Sequence, residues 1–303
     1  MNISNDNIKQ AASLLREGKL VAFPTETVYG LGGNALSDFA VAAIYAAKGR
    51  PEFNPLIVHV RSLDEAKTYA EFNENALALA QKFWPGPLTL VLPRKKDCTL
   101  SLLVSGGMDT VAIRVPAHTL AQELLREAKL PIAAPSANRS GRISPTEAAH
   151  VREELEGRIA MILDGGACTV GIESTVVDTT GDVPVILRPG SVTREQLGID
   201  FYAGSGIKSP GMLASHYAPS KPMRLHATDV RNDEALLAFG ARVPKSMLVE
   251  NLSPSGNLQE AAANLFRMLR RLDASAAKSI AVMPIPEEGL GVAINDRLKR
   301  AAS

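Results

Sequence analysis

Residues 48–60 read KGRPEFNPLIVHV, and three kinds of local structure meet inside them. A helical pattern that starts at Ser37-Asp38 and runs through Ile44 and Ala47 stops at Gly49, a residue suited to a left-handed helix end. A stiff polar loop follows, bracketed by Pro51 and Pro55. LIVHV (56–60) is then an apolar run of strand length. A helix, a cationic loop and a buried strand in that order mark an α/β or α+β domain with polar groups at a strand entrance.

The pattern continues in both directions. Upstream, Ile8, Ala11, Ala12, Leu14 and Leu15 make a helical apolar face that ends at Gly18, and Leu20–Phe23 is a strand closed by Pro24. Downstream, helices fit 63–70 and 74–83, and Pro85-Gly86-Pro87 breaks the chain before strand Leu88–Leu92. A loop over 100–109 leads to strand Val111–Val115, helix Leu120–Ala128 and strand Ile132–Ala134. A small-residue loop then precedes helix Glu147–Leu155, with strands expected at Ile159–Leu163, Thr175–Asp178 and Val185–Leu187. FYAGSGIKSPGMLASH (200–215) has no periodicity and reads as a linker. Beyond it, strands at Met223–Leu225, Met247–Glu250 and Ser279–Met283 alternate with helices at 231–239, 257–272 and 290–301. That alternation predicts a small doubly wound parallel sheet.

The chain has 303 residues, enough for two domains, and 46% of them are hydrophobic. A net charge of +1 gives no global basic field for nucleic acid. Cys98 and Cys168 are the only cysteines, which excludes a zinc signature or a disulfide framework and fits a reducing compartment. The polar N-terminus is no signal peptide, and no apolar run reaches bilayer length. A cytoplasmic enzyme without membrane partners is the expectation.

Polar residues gather at strand ends and in Gly/Pro-bounded loops of the first domain, where α/β folds hold ligands. PTETVYGLG (24–32) offers hydroxyls, and Gly30, Gly32 and the following Gly33 would admit a ligand to the backbone; a capped turn is an equal reading. Lys48 and Arg50 suit phosphate oxygens, although cations also suit a helix C-terminus. His59 inside LIVHV would ordinarily be a satisfied core histidine. Arg114 in TVAIRVP (110–116) alternates with apolar residues, so its charge needs a carboxylate, from a ligand or from an internal Asp or Glu. APSANRSG (134–141) and SPT (144–146) make an anion-friendly loop ahead of a helix. ESTVVD (173–178) and LRPG (187–190) are unremarkable singly, and Gly289-Leu290-Gly291 reads as a structural turn. There is no GxSxG, HExxH or P-loop and no Cys–His pair. The chemistry is therefore positioning plus electrostatics, as in nucleotidyl transfer to a carboxylate or carbamate oxygen.

Together and in order, FPTETVYGLG, KGRPEFNPLIVHV, WPGPLTLVL, VAIRVP, APSANRSG with SPT, ESTVVD and LRPG resemble the YrdC-type threonylcarbamoyl-adenylate synthases. SPGMLASHYAP (209–219) and GLGVAINDRLKRAA (289–302) extend the likeness to the two-domain version, so it covers residues 8–302. The resemblance implies a YrdC-like twisted open α/β domain over 1–199, a linker or lid over 200–219 and a small doubly wound Rossmann-like α/β domain over 220–303. It implies that L-threonine, bicarbonate (or CO₂) and ATP become L-threonylcarbamoyl-adenylate, pyrophosphate and water, with Mg²⁺ accompanying the ATP. Other proteins would then transfer the threonylcarbamoyl group to adenosine 37 of tRNAs that read ANN codons.

Carried over motif by motif, the resemblance puts Thr27, His59, Arg114, Ala134 and Ser174 on the threonine side, with Arg114 pairing the amino-acid carboxylate. Lys48, Arg50 and Asn54 would face the phosphates, Lys48 and Arg50 acting catalytically. Thr110, Ser136, Asn138, Ser144 and Arg188 would hold the nucleotide, and Tyr217 would reach back from the linker to cover it. No base for the threonine amine is evident. Residues 223–256 are least like the family, which leaves the role of the second domain open. Two other readings remain. An RNA-binding or ribosome-assembly module without turnover sits poorly with near-neutral charge and 5% aromatics, although weak RNA contact by the enzyme is compatible with its basic loops. Carbamoyl transfer from carbamoyl phosphate belongs to longer chains with zinc-binding cysteines, which are absent here.

Overall fold

Helix α1 (Asn5–Arg16) lays Ile8, Ala11, Ala12 and Leu15 against the sheet that follows, as its periodicity requires. The computed structural model describes residues 5–51, 54–199 and 216–303. Strands β1 (Val21–Pro24) and β2 (Tyr29–Asn34) form an antiparallel pair. Helix α2 (Asp38–Lys48) begins where Ser37 accepts a hydrogen bond from the Ala40 amide and ends at Gly49, whose φ is +60°. Strand β3 (Ile57–His59) follows the cationic loop. Helices α3 (Leu63–Tyr69) and α4 (Glu74–Phe83) are capped by Ser62 and Asn73. Strand β4 (Leu88–Pro93) pairs antiparallel with β5 (Thr110–Arg114). Helix α5 (Thr119–Ala128), β6 (Ile132–Ala133), α6 (Ala148–Leu155), β7 (Met161–Ile162), β8 (Thr175–Asp178), β9 (Val185–Arg188) and α7 (Arg194–Leu197) complete the first domain. Among the described residues its mixed sheet has nine strands in the order β7-β1-β2-β6-β3-β5-β4-β8-β9.

Gly30 lines the cavity described below, but strand β2 gives Gly32 and Gly33 a different purpose from ligand approach. A Cβ on Gly32 would lie 2.9 Å from both Ile132 Cγ2 and Phe23 Cε1, and one on Gly33 would lie 3.0 Å from Ile44 Cδ1. Both positions are glycine because the interior packs against the bare backbone.

The second domain contains β10 (Met223–Arg224), β11 (Glu234–Ala238), β12 (Val249–Asn251), α8 (Leu258–Asp273), β13 (Ser279–Val282) and α9 (Leu290–Ala301). Its sheet, ordered β10-β13-β11-β12, is wholly parallel, as the alternating pattern predicts. The expected helix over 231–239 is instead β11. Ala235 and Leu237 face one core and Leu236 and Ala238 another, all of them buried. A strand covered on both faces has no alternation, and a continuous apolar run cannot be told from a buried helix by period.

Residues 200–215 of the expected linker lie outside the described residues. The two domains share a core nonetheless. Val28, Ile143, Ile172 and Tyr217 pack in one apolar cluster with Leu265, Phe266 and Leu269 of α8 and with Ile294 of α9. Gly171, at φ +77°, lies so close to α8 that an added Cβ would sit 2.5 Å from Ala263 Cα.

Candidate active site

Parallel pairing of β3 with β5 sets His59 level with Arg114. Arg114 is only 3% exposed. It forms an ion pair with Glu26 at 2.6 Å, donates from NH1 to Thr27 Oγ1 at 2.8 Å and from Nε to the Gly86 carbonyl at 3.2 Å. The internal carboxylate that a buried arginine requires is therefore Glu26. Burial pushes the Glu26 carboxyl up, but Arg114 outweighs it and the group sits below the usual carboxylate range. Thr25 Oγ1 donates to the Val28 carbonyl at 2.7 Å, so the 2.7 Å contact between the Thr25 and Thr27 hydroxyls takes its proton from Thr27. That proton chain orients Thr27 to accept from Arg114. Burial, reinforced by Arg114, depresses His59 to about 3, so its imidazole is neutral near pH 7. His59 Nδ1 is buried and has no hydrogen-bond partner among the described residues.

Cations concentrate at the other end. The Lys48 ammonium, at the end of α2, donates to the Ser136 and Asn138 carbonyls. Arg50 donates from Nε to the Asn54 carbonyl at 3.2 Å and from NH2 to the Pro55 carbonyl at 3.0 Å. Among the described residues neither side chain forms an ion pair, and both are buried. Burial pulls Lys48 well below its usual range and Arg50 down to about 10. Asn54 is fully buried with both side-chain amide atoms unpartnered among the described residues. Arg188 donates from NH2 to the Ser174 carbonyl at 2.8 Å and to Ser174 Oγ at 3.1 Å, and Ser174 Oγ also meets Thr89 Oγ1 at 2.8 Å. Ser144 Oγ donates to Glu173 at 2.5 Å. The Tyr217 ring stacks on Phe266 at 5.5 Å, and its hydroxyl is buried without a partner among the described residues.

One cavity joins the two ends. It is lined by Thr27, Arg50, His59, Arg114, Ala134, Ser136, Ser174, Arg188 and Tyr217, nine of the residues the sequence singles out. Lys48, Asn54 and Ser144 stand behind that lining and touch it through the bonds given above, and the Asn138 amide donates to the Ser136 carbonyl at 3.0 Å. Thr110 does not line it. It sits at the far end of β5 from Arg114, about 13 Å away at a strand's rise of about 3.3 Å per residue. Thr25, Glu173 and His216 also line the cavity. They are neighbours of the residues picked from the motifs, and Glu26 lies behind them. Of these only Glu26 had a signal in the sequence, the acid that buried Arg114 demands. Cys168 is buried with its thiol pushed up to about 12, which fits a packing role.

A family model described as telomere recombination (Sua5_yciO_yrdC) matches residues 13–190, and the model of the threonylcarbamoyl-AMP synthase C-terminal domain matches residues 176–303. The chain belongs to the threonylcarbamoyl-AMP synthase family. The threonylcarbamoyl-AMP synthase of Bacillus subtilis is 43% identical to it, over 100% of this chain and 94% of the relative. That of Pyrococcus abyssi is 42% identical, over 97% of this chain and 94% of the relative. The crystal structure of P. abyssi Sua5 complexed with L-threonine matches the fold with a TM-score of 0.92 at 41% identity, covering 100% of this chain and 96% of that one. The two-domain architecture is thus that of the family.

Proposed function

We propose that this chain converts L-threonine, bicarbonate and ATP into L-threonylcarbamoyl-AMP, pyrophosphate and water. The product would serve other proteins that place the threonylcarbamoyl group on adenosine 37 of ANN-reading tRNAs. The observation that carries the reading is the polarity of one cavity. One end holds a single neutralised guanidinium, hydroxyls and a neutral imidazole, which suits a small zwitterion. At the other, Arg50 and Arg188 line the cavity and Lys48 stands behind Ser136, all three buried, which suits a polyphosphate.

In this reading Arg114 takes the threonine carboxylate, and Thr27, His59 and Ser174 hold its amine and hydroxyl against the Ala134 backbone. The unprotonated amine attacks CO₂ and releases a proton, or attacks the carbon of bicarbonate with loss of water, giving N-carboxythreonine. A carbamate oxygen then attacks the α-phosphorus of ATP, and the bond from that phosphorus to the bridging oxygen of pyrophosphate breaks. Lys48 and Arg50 stabilise the charge on the departing pyrophosphate. Asn54, Ser136, Asn138, Ser144 and Arg188 would hold the rest of the nucleotide, with Tyr217 as its cover, and Thr110 would act only on an extended part of it. Closing this site would keep water from the labile carbamate.

No cluster of three His, Cys, Asp or Glu among the described residues could hold a metal. Mg²⁺ would therefore enter as part of the ATP substrate, bound through phosphate oxygens, and would there neutralise phosphate charge. A cytoplasmic location follows from the proposed tRNA pathway, and no helix among the described residues is long and apolar enough to cross a membrane.

Mass spectrometry of a reaction run in ¹³C-bicarbonate tests the chemistry. The expected product is an AMP adduct of threonine carrying one labelled carbon. An unlabelled adduct, or adenylated threonine without the extra carbon, overturns the reading.

A further inference from the structure

One side chain of the second domain reaches the supports of the nucleotide end. Arg297 projects from α9 and is only 1% exposed. Its Nε donates to Glu173 Oε2 at 3.0 Å, and its NH1 donates to the Pro189 carbonyl at 2.6 Å and to Asp296 Oδ2 at 2.8 Å. Its guanidinium carbon stands 5.4 Å from the centre of the Tyr217 ring. Glu173 and Tyr217 line the cavity, and Pro189 is one step from it. Glu173 holds Ser144 through its other carboxylate oxygen. Pro189 directly follows Arg188, whose NH2 grips Ser174.

The surroundings make that contact rigid. Ile172, two residues before Ser174, is buried in the shared core, and Gly171 touches the backbone of α8. The strand entrance carrying Glu173 and Ser174 is therefore docked against the second domain. An ion pair this deep is expensive to desolvate, and a hydrophobic seam would hold two domains together equally well. What an arginine adds is geometry: a planar fork that ties three separate segments at fixed angles.

We propose that Arg297 is a positioning residue of the active site, supplied by the C-terminal domain. By holding Glu173, Pro189 and Tyr217 it sets Ser144, Arg188 and the Tyr217 ring for the nucleotide. The second domain is then a working part of the ATP site. This rests on the nucleotide-end reading given above.

The test is steady-state pyrophosphate release by the full chain, with ATP and threonine titrated separately, alongside thermal unfolding. Arg297→Met is expected to raise the KM for ATP by about tenfold or more, the scale of losing one buried charged contact. The KM for threonine should stay within about twofold. Arg297→Lys, which keeps the charge and one donor toward Glu173, should recover part of the loss. Arg297→Met leaves Glu173 buried and unpaired, so the Arg297→Met/Glu173→Gln double variant is measured as well. In that neutral seam the KM for ATP should remain raised. If the double variant returns it to the wild-type value, the effect was charge burial and the proposal fails. It fails equally if both KM values rise together with a drop in kcat, which is general loosening. Ser144→Ala separates the two readings. If it leaves the KM for ATP unchanged, the nucleotide-end assignment itself is wrong; if it raises that KM while Arg297→Met does not, only the role of Arg297 is wrong.

Discussion

Replacing Arg114 should produce different failures depending on what replaces it. In Arg114→Ala the Glu26 carboxylate stays buried without its partner at 2.6 Å. Removing one member of such a pair costs about 3–5 kcal/mol, a large share of the roughly 5–15 kcal/mol that holds a domain folded. Loss of activity in that variant would confound folding with chemistry. Arg114→Lys keeps a positive charge for Glu26 but offers one compact ammonium. It cannot hold Glu26, Thr27 Oγ1 and the Gly86 carbonyl and still face a ligand. Loss of one charge-assisted contact is worth about 1.5–3 kcal/mol, or a rise of roughly 10- to 150-fold in the KM for threonine. The assay is pyrophosphate release at saturating ATP with threonine varied, paired with urea unfolding of the same preparation. A folded Arg114→Lys enzyme with an unchanged threonine KM would remove Arg114 from substrate recognition. An Arg114→Ala protein as stable as the wild type would deny the ion pair its structural role.

Three further outcomes follow from the electrostatics. Glu26 is held below the usual carboxylate range, so its contribution to stability is present above its unfolded value near 4.5 and is lost as pH falls through its depressed folded value. Urea midpoints of wild type and Glu26→Gln should differ most at neutral pH and converge in acid; a constant gap would contradict this. His59, depressed to about 3, stays neutral across the working range, so kcat/KM for threonine should show no inflection near 6.5 that disappears in His59→Gln. Arg50 has only carbonyl partners among the described residues. In Arg50→Ala the upward shift of Tm that ATP causes in the wild type should vanish, measured by differential scanning fluorimetry. A full ATP shift in that variant would take Arg50 off the phosphates.

Much of this molecule was legible because its signals are local. Ser37 and Gly49 bound α2 as capping chemistry requires. The motif residues converge because strands β3 and β5 end, and β8 begins, at one side of the sheet, bringing His59, Arg114 and Ser174 together. What escaped depends on the third dimension. Segment 234–238 has the same apolar run whether it is a covered strand or a covered helix, and only the flanking layers decide. Gly32 and Gly33 looked like ligand-approach glycines, yet their reason lies with Ile132, Phe23 and Ile44 in other elements. Glu26 was foreseeable as a type of residue but not as a position, because the demand for a counter-charge does not say which acid meets it. Arg297 lies 124 residues from Glu173, and no spacing rule links them.

The central claim is that one cavity uses ATP to adenylate a carbamate made from threonine. Its most direct test is pyrophosphate release measured with ATP alone, with threonine or bicarbonate added singly in CO₂-depleted buffer, and with both. The expected result is release only when threonine and bicarbonate are both present, one pyrophosphate per threonylcarbamoyl-AMP formed. Release that needs neither substrate, or the appearance of ADP and phosphate in place of pyrophosphate, would contradict the account.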